Sequence, residues 1–258
     1  MAQTVFVADL HLSAHTPDLT ELFCRSVAAW RGRVDALYIL GDLFDAWVGD
    51  DAADATAQQV AQTLRGFAET APVYFVAGNR DFLLGRRFAA QAGMVLLPEY
   101  YAVSLYGKRY LLMHGDQLCT DDRSYLYFRR VIRQPWLQAL LLRLPVAWRV
   151  RLAGDIRRES SRKQSRPDSY TRTDATEKGI TAAWQGFRAT DVLIHGHTHR
   201  PALHCHQIDG KERLRCVLPD WHSGRGGYVS VSAAGVELRS LPENVSDGAD
   251  TANLNNQL

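Results

Sequence analysis

No run of about 18 consecutive apolar residues occurs in the chain, so nothing in it reads as a membrane-spanning helix. The N-terminus has no basic segment leading into an apolar one, and no secretory signal is expected there. Cysteine is sparse. Cys24, Cys119, Cys205 and Cys216 form no Cys-x-x-Cys pair, which speaks against a disulfide framework and a thiolate zinc site and suits a reducing compartment. Acid is nearly missing from one block. Residues 123–172 hold thirteen of the thirty Lys and Arg but only Asp155, Glu159 and Asp168, a net +10 against −8 over the rest. A total of +2 therefore hides one strongly basic segment, which points to a local anionic partner.

What is present is an α/β pattern in 258 residues, 46% of them hydrophobic. That suits one large domain with an insertion. Short apolar runs suited to buried strands alternate with helix-spaced segments. Thr4–Ala8, Ala36–Leu40, Pro72–Ala77, Lys108–Met113 and Asp191–Ile194 read as strands, the last of these as the final core strand. Helical spacing covers about Asp18 to Trp30, Ala57 to Phe67, Gly85 to Ala92 and Asp174 to Phe187. Hairpins are signalled at Tyr106-Gly107, Asp209-Gly210 and Ala233-Ala234-Gly235. Asp50, Asp51 and Asp54 form an acidic loop, and polar residues 243–258 read as a disordered tail.

The five strands share an ending. Each runs into residues that can ligate a metal: Asp9 and His11, Asp42, Asn79, His114, and the run His195-Gly196-His197-Thr198-His199. Open α/β sheets place ligands beyond the carboxyl ends of their strands. One such residue commonly caps a helix or satisfies a turn; five together point to a metal site. The donors are nitrogen and oxygen without thiolate, which suits Mn²⁺, Fe²⁺, Co²⁺ or Zn²⁺ over Ca²⁺. Asp9 with His11, and His197 with His199, are two apart and point the same way if the chain stays extended. Seven ligands are too many for one ion and suit two, about 3.5–4 Å apart, sharing a carboxylate. By spacing alone His195 is as good a candidate as its neighbours. His15, His204, His206 and His222 lack such a context, although His222 beside Trp221 could line the site.

Asp9-x-His11, Gly41-Asp42, Gly78-Asn79, His114-Gly115 and Gly196-His197-x-His199 together resemble the calcineurin-like metallophosphoesterases. The resemblance implies an αββα sandwich: two facing mixed β-sheets flanked by helices. It implies that Asp42 bridges two cations. One would take Asp9, His11 and His199; the other Asn79, His114 and His197. His195 falls outside that pattern. A water held between the ions would attack phosphorus in line.

Many relatives have His where this chain has Arg80. Arginine cannot act as an acid near neutral pH, but it can hold phosphate oxygens bidentately. A phosphate leaving group, with a pKa of roughly 6, needs no proton to depart. Arg80 therefore favours phosphoanhydride cleavage over ester cleavage; the plainer alternative is an idle pair with Asp81.

Between His114 and the last of the five strands lie about seventy-five residues, more than a crossover needs. Asp122 can cap a helix bearing Tyr125, Phe128 and Ile132, and Pro135 and Pro145 each suit a helix start. Leucines and tryptophans alternate with Arg129, Arg130, Arg133, Arg143, Arg149, Arg151, Arg157 and Arg158. This composition suits a lipid headgroup boundary or an acyl pocket with phosphates at its mouth. Its aliphatic character speaks against nucleic-acid stacking. The plainer reading is a subdomain whose apolar faces pack together.

Longer stretches sharpen the resemblance: Gly41 to Asp51, Gly78 to Gly85, His114 to Asp122 and Ile194 to Pro201 look like the diphosphatase family that cleaves UDP-2,3-diacylglucosamine in lipid A biosynthesis. The likeness covers about residues 5–242. It implies hydrolysis of the pyrophosphate bond to UMP and 2,3-diacylglucosamine 1-phosphate. It implies two Mn²⁺ per subunit and peripheral attachment to the cytoplasmic face of the inner membrane. Asp42, Asn79, Arg80 and His114 would be catalytic. Substrate contacts would come from Asn79, Arg80, Asp122 and His197, and from a lid at 122–172. In the lid Ser161 and Ser165 match best, or Ser160 and Gln164 one residue earlier, with Arg166 where the family often has lysine. The alternatives are a soluble metallophosphoesterase for nucleotides or cyclic nucleotides, and a non-catalytic membrane-binding scaffold.

Overall fold

The computed structural model describes residues 2–164 and 174–241, with backbone alone over 159–164. Two sheets face each other. The first contains β1 (Gln3–Val7), β2 (Ala36–Ile39), β3 (Val73–Val76), β4 (Met94–Leu97), β10 (Gly226–Ser232) and β11 (Gly235–Leu241), in the order β11-β10-β1-β2-β3-β4. The second contains β5 (Tyr101–Leu105), β6 (Lys108–Leu112), β7 (Val192–His195), β8 (Ala202–Ile208) and β9 (Lys211–Val217), in the order β5-β6-β7-β9-β8. The run β1-β2-β3-β4 is parallel and β10 joins β1 antiparallel. The pairs β6-β7 and β7-β9 are parallel within a second mixed sheet.

Strand alternation builds three layers of core. Phe6, Ala8, Tyr38, Leu40 and Val76 point inward and meet Tyr110, Leu112, Ile194 and Cys216 of the other sheet. Their neighbours Val5, Val7, Leu37, Ile39 and Phe75 point outward under α1 (Pro17–Trp30), α2 (Ala55–Ala68) and α3 (Arg86–Ala92). On the far side Leu111, Met113 and Leu193 pack against Ile180 and Trp184 of α7 (Glu177–Gly186). Each Val, Leu, Ile, Phe or Met among them contributes roughly 1.5–3 kcal/mol by leaving water. α1 buries Leu19, Leu22, Phe23, Val27 and Trp30, one stripe at helical spacing. α2 starts where Asp54 accepts a hydrogen bond from the Ala57 amide at 2.9 Å. The expected αββα sandwich is what forms.

One expectation and one alternative change, and the acidic loop acquires a role. Asp191–Ile194 is not the final core strand: β10 follows it and buries Val229 and Val231 beside β1, the polar segment before it having masked its role. The acidic loop is structural. Asp50 accepts from the Gly85 and Phe88 amides, Asp51 pairs with Arg149, and Asp54 caps α2. The insertion does not pack its apolar faces together. It forms α4 (Arg123–Ile132), α5 (Pro135–Leu141) and α6 (Val146–Gln164), and neither α4 nor α5 buries any residue. Tyr127, Trp136, Leu140, Trp148 and Val150 are each more than half exposed.

Several arginines of the insertion turn inward. Arg129 Nε lies 2.7 Å from Asp116, and Arg133 Nη1 lies 2.8 Å from Glu99. Arg149 reaches Asp51 and the Val48 carbonyl, and Arg157 pairs with Asp45. Half of the eight arginines expected to rim the apolar surface thus fasten the helices to the sandwich, while Arg130, Arg143, Arg151 and Arg158 stay exposed. The tail at 243–258, with Ser165 and Arg166, lies outside the described residues.

Candidate metal centre

All five ligand-bearing strand ends meet at one rim. Their backbone is not extended there: Asp9, His11, Asp42, His197 and His199 all have positive φ, between 49° and 68°. The expectation of extended presentation is thus corrected. The strands end at Val7, Ile39 and His195, and left-handed turns aim the side chains. The loops interlock tightly enough to require glycine. A Cβ on Gly78 would come within 2.2 Å of Asp42 Oδ1, and one on Gly196 within 2.3 Å of Asp9 Oδ2. This is the physical content of the Gly-Asn and Gly-His motifs.

The donor atoms of Asp9, His11 and His199 lie within 4.8 Å of one another, as do those of Asp9, Asp42 and His114. Asp9 belongs to both groups. Asp42 stands between them: Oδ2 is 3.9 Å from His11 Nδ1 and Oδ1 is 3.7 Å from His114 Nε2. Asn79 Oδ1 is 2.9 Å from His114 Nε2. The His197 ring packs edge-on to His114 at 5.0 Å, and its backbone N–H donates to Asp9 Oδ2 at 2.7 Å. The seven expected ligands are therefore together. His195 is not among them. Its Nδ1 faces the Gly196 carbonyl at 2.8 Å and its Nε2 faces Arg215.

The electrostatics fit a cation. Asp9, Asp42, Asp81 and His114 are buried, and Asp9 Oδ1 and His11 Nδ1 have no hydrogen-bond partner. Buried carboxylates this close are costly unless positive charge offsets them. Burial pushes the Asp42 carboxyl up, and Asp81 and Asp9 add to the rise while His114 opposes it. For Asp9 burial also acts upward, but His199, His114 and His11 outweigh it and hold the carboxyl low. Burial pushes His11 down to about 3 and His197 to about 4, and the resulting neutral imidazoles are the form that ligates metals. His114 Nδ1 lies 2.9 Å from the Leu40 carbonyl, which leaves Nε2 as the donor atom for the site.

Other residues hold this arrangement and were missed from sequence. Asp81 accepts from the Leu43 and Gly78 amides at 2.7 and 2.8 Å, tying two ligand loops together and ruling out the idle Arg80–Asp81 pair. Asp220 Oδ2 lies 3.6 Å from His199 Nδ1 and 3.2 Å from His222 Nδ1, so His222 reaches the site only through that carboxylate. Asp220 follows the apolar run Cys216–Leu218, a sixth instance of the strand-then-ligand signal. Asp116 accepts from Tyr125 at 2.6 Å, and the Tyr125 ring stacks over His197. Arg133 donates to the Gly78 carbonyl at 2.7 Å. α4 is thus clamped to the ligand loops.

The expected substrate contacts divide. Arg80 faces the site, 27% exposed, with Nη1 4.0 Å from Asp45. Asp122 caps α4, accepting from the Tyr125 amide at 3.0 Å. Ser161 and Ser160 fall on the last turns of α6, described by backbone alone.

The rim therefore gathers the N/O donor set of a metal-dependent hydrolase on an αββα frame. The chain belongs to the calcineurin-like phosphoesterase family, whose pattern matches residues 2–201. Within it, the chain is 45% identical to the UDP-2,3-diacylglucosamine hydrolase of Escherichia coli O81 (strain ED1a), over 240 residues, 93% of this chain and 99% of that one. The enzyme of the same name from Shigella sonnei (strain Ss046) matches equally well. Among solved structures, a dimetal phosphatase from Danio rerio aligns with a TM-score of 0.50 at 13% identity, covering 92% of this chain and 94% of that one, a likeness of fold alone.

Proposed function

We propose that the chain hydrolyses the pyrophosphate bond of UDP-2,3-diacylglucosamine, giving UMP and 2,3-diacylglucosamine 1-phosphate. The observation that carries this reading is a juxtaposition. A buried N/O donor cluster with orphaned Asp9 and His11 atoms lies beside Arg80 and under helices whose apolar residues are exposed. A nucleotidase for soluble substrates has no use for those exposed residues.

Asp9, His11, Asp42 and His199 would hold one cation, and Asp42, Asn79, His114 and His197 a second. Mn²⁺ is the ion the family resemblance favours. When bound, such ions supply charge neutralisation at phosphorus and an acidified water. Arg80, always protonated, holds non-bridging phosphate oxygens and gives up its long contact with Asp45 to do so. It donates no proton, and the sugar phosphate that departs needs none. The Arg80 amide donates to Asp42 Oδ1 at 2.9 Å, which fixes the carboxylate between the two groups. The Leu40 carbonyl fixes the tautomer of His114. Asp122, His197, and Ser161, Ser165 and Arg166 in the lid serve as further substrate contacts.

The exposed Trp136, Leu140, Trp148 and Val150 offer acyl chains a surface and give the protein a peripheral hold on the cytoplasmic face of the inner membrane. No helix among the described residues is long and apolar enough to cross a membrane. The test is turnover with Mn²⁺ in ¹⁸O-water. Label on UMP supports attack at the uridine-side phosphorus; label on the sugar phosphate refutes that orientation, and no turnover refutes the reading.

A further inference from the structure

A cavity of about 210 Å³ lies on the far side of the ligand loop, lined in part by Asp174, Thr198, Arg200, Pro201, Ala202 and Arg215. Thr198 sits between His197 and His199, so the cavity and the metal centre share a wall. The described helices of the insertion are fastened elsewhere, to Glu99 before β5, to Asp116 after β6, and to Asp45 and Asp51 of the first sheet's loops. The cavity lies past β7, toward β9 and β8, at the other end of the second sheet. A diphosphate held at the rim thus has the helical lid to one side and this cavity to the other.

Two of its polar groups keep hydrogen-bonding capacity to spare. Thr198 Oγ1 is buried without a hydrogen bond. Arg215 is 8% exposed. Its Nε and Nη1 meet only imidazole nitrogens, of His206 at 3.2 Å and His195 at 3.3 Å, with no carboxylate in ion-pair reach among the described residues. A buried guanidinium and a buried hydroxyl facing one cavity call for an acceptor-bearing occupant. Arg200 is already paired with Asp174. Asp174 Oδ1 takes the Ala175 amide and Oδ2 takes Arg200, and each oxygen keeps a lone pair for a further donor. The lining thus offers both donors and an acceptor to one occupant.

We infer that this cavity is the subsite for the uracil ring of the substrate, with Arg215 and Thr198 donating to the ring carbonyls and Asp174 accepting from the ring N–H. The inference rests on the function proposed above and adds where the nucleoside binds. Uracil shows acceptor, donor, acceptor along that edge. Cytosine puts an acceptor where the N–H was and a donor in place of one carbonyl, so it faces the carboxylate and a guanidinium the wrong way round. Pro201 and Ala202 supply apolar wall for the ring faces. The volume falls below the roughly 300–1,000 Å³ of drug-sized sites and suits a single ring.

The test is saturation-transfer NMR with uridine and with cytidine on the metal-loaded protein. It is combined with kcat/KM for UDP- and CDP-2,3-diacylglucosamine. Saturation of the uridine H5 and H6 protons is expected, at least fivefold above cytidine, and it should vanish in Ala202→Leu, which fills the cavity. The wild-type preference for the UDP substrate should be at least tenfold and fall toward one in Ala202→Leu and in Arg215→Gln. Two variants guard against one failing to fold. Equal binding of the two nucleosides, no uridine signal in the wild type, or a uridine signal unchanged in both variants overturns the subsite. Hydrolysis of both substrates with equal kcat/KM overturns the subsite while leaving the function intact. Uridine binding of the expected kind without hydrolysis supports the subsite and overturns the proposed function.

Discussion

Asp116→Asn probes whether α4 belongs to the metal centre or merely covers it. The carboxylate is fully buried and takes Arg129 Nε at 2.7 Å and Tyr125 Oη at 2.6 Å, with Arg133 at 4.0 Å. Removing one member of a buried ion pair costs up to about 3–5 kcal/mol. Two features reduce that. Asparagine keeps an acceptor oxygen, and Glu99 stays beside both arginines at 2.9 and 2.8 Å. Replacing two charge-assisted hydrogen bonds by neutral ones costs about 1–1.5 kcal/mol each. The expected loss is therefore about 2–3 kcal/mol, or roughly 5–10 °C in Tm for a chain of this size. Burial disfavours the Asp116 charge, but His114, Arg129, His197 and Arg133 outweigh it and hold the carboxyl below its ordinary range. A folded-state value below the unfolded one means the contribution is full above pH of about 4 and fades as pH falls further. Urea unfolding of the metal-free proteins at pH 7 and pH 3 measures both effects. A difference under about 0.5 kcal/mol at pH 7, or one that persists undiminished at pH 3, would refute the clamp.

Arg80→Ala should lower turnover of UDP-2,3-diacylglucosamine by about 10²–10³, the scale of a lost transition-state donor, and slow hydrolysis of an activated aryl phosphate less than tenfold. Equal losses on both would end its assignment to the diphosphate. Gly196→Ala drives a Cβ into Asp9 Oδ2 and should weaken Mn²⁺ binding about 10–100-fold by calorimetry. The Arg149 hydrogen bond pulls the Asp51 carboxyl down, so this latch on α6 holds above the ordinary carboxylate range and releases as pH falls through and below it. Fluorescence anisotropy of Trp148 between pH 6 and 3 should report the release, and Asp51→Asn should show the mobile value throughout. On the proposed membrane hold, Trp148→Ser removes an indole that is more than half exposed and should weaken vesicle binding about tenfold in a sedimentation assay.

The layers and ligands were legible because their signals are local. Apolar runs such as Ala36–Leu40 mark buried strands, and each ends in a residue whose chemistry is visible from its type. Ligand aim was misjudged because it depends on left-handed turns at Asp9, Asp42 and His197, and no residue type there announces them. Asp45 was passed over because its partner lies far away in sequence, Arg157 being 112 residues on. The same distance hid the inward turn of the lid arginines. A basic residue on a helix looks solvated until the carboxylate opposite it is known. The strand β10 was undervalued because a central antiparallel strand, added late in the chain, carries no ligand to draw attention to it.

The proposed two-cation centre is tested most directly by anomalous scattering at the manganese edge from crystals soaked in Mn²⁺. Two peaks are expected, with one Asp42 oxygen toward each, His11 and His199 on one side and Asn79, His114 and His197 on the other. A single peak, or Asp42 turned away from both, would contradict it.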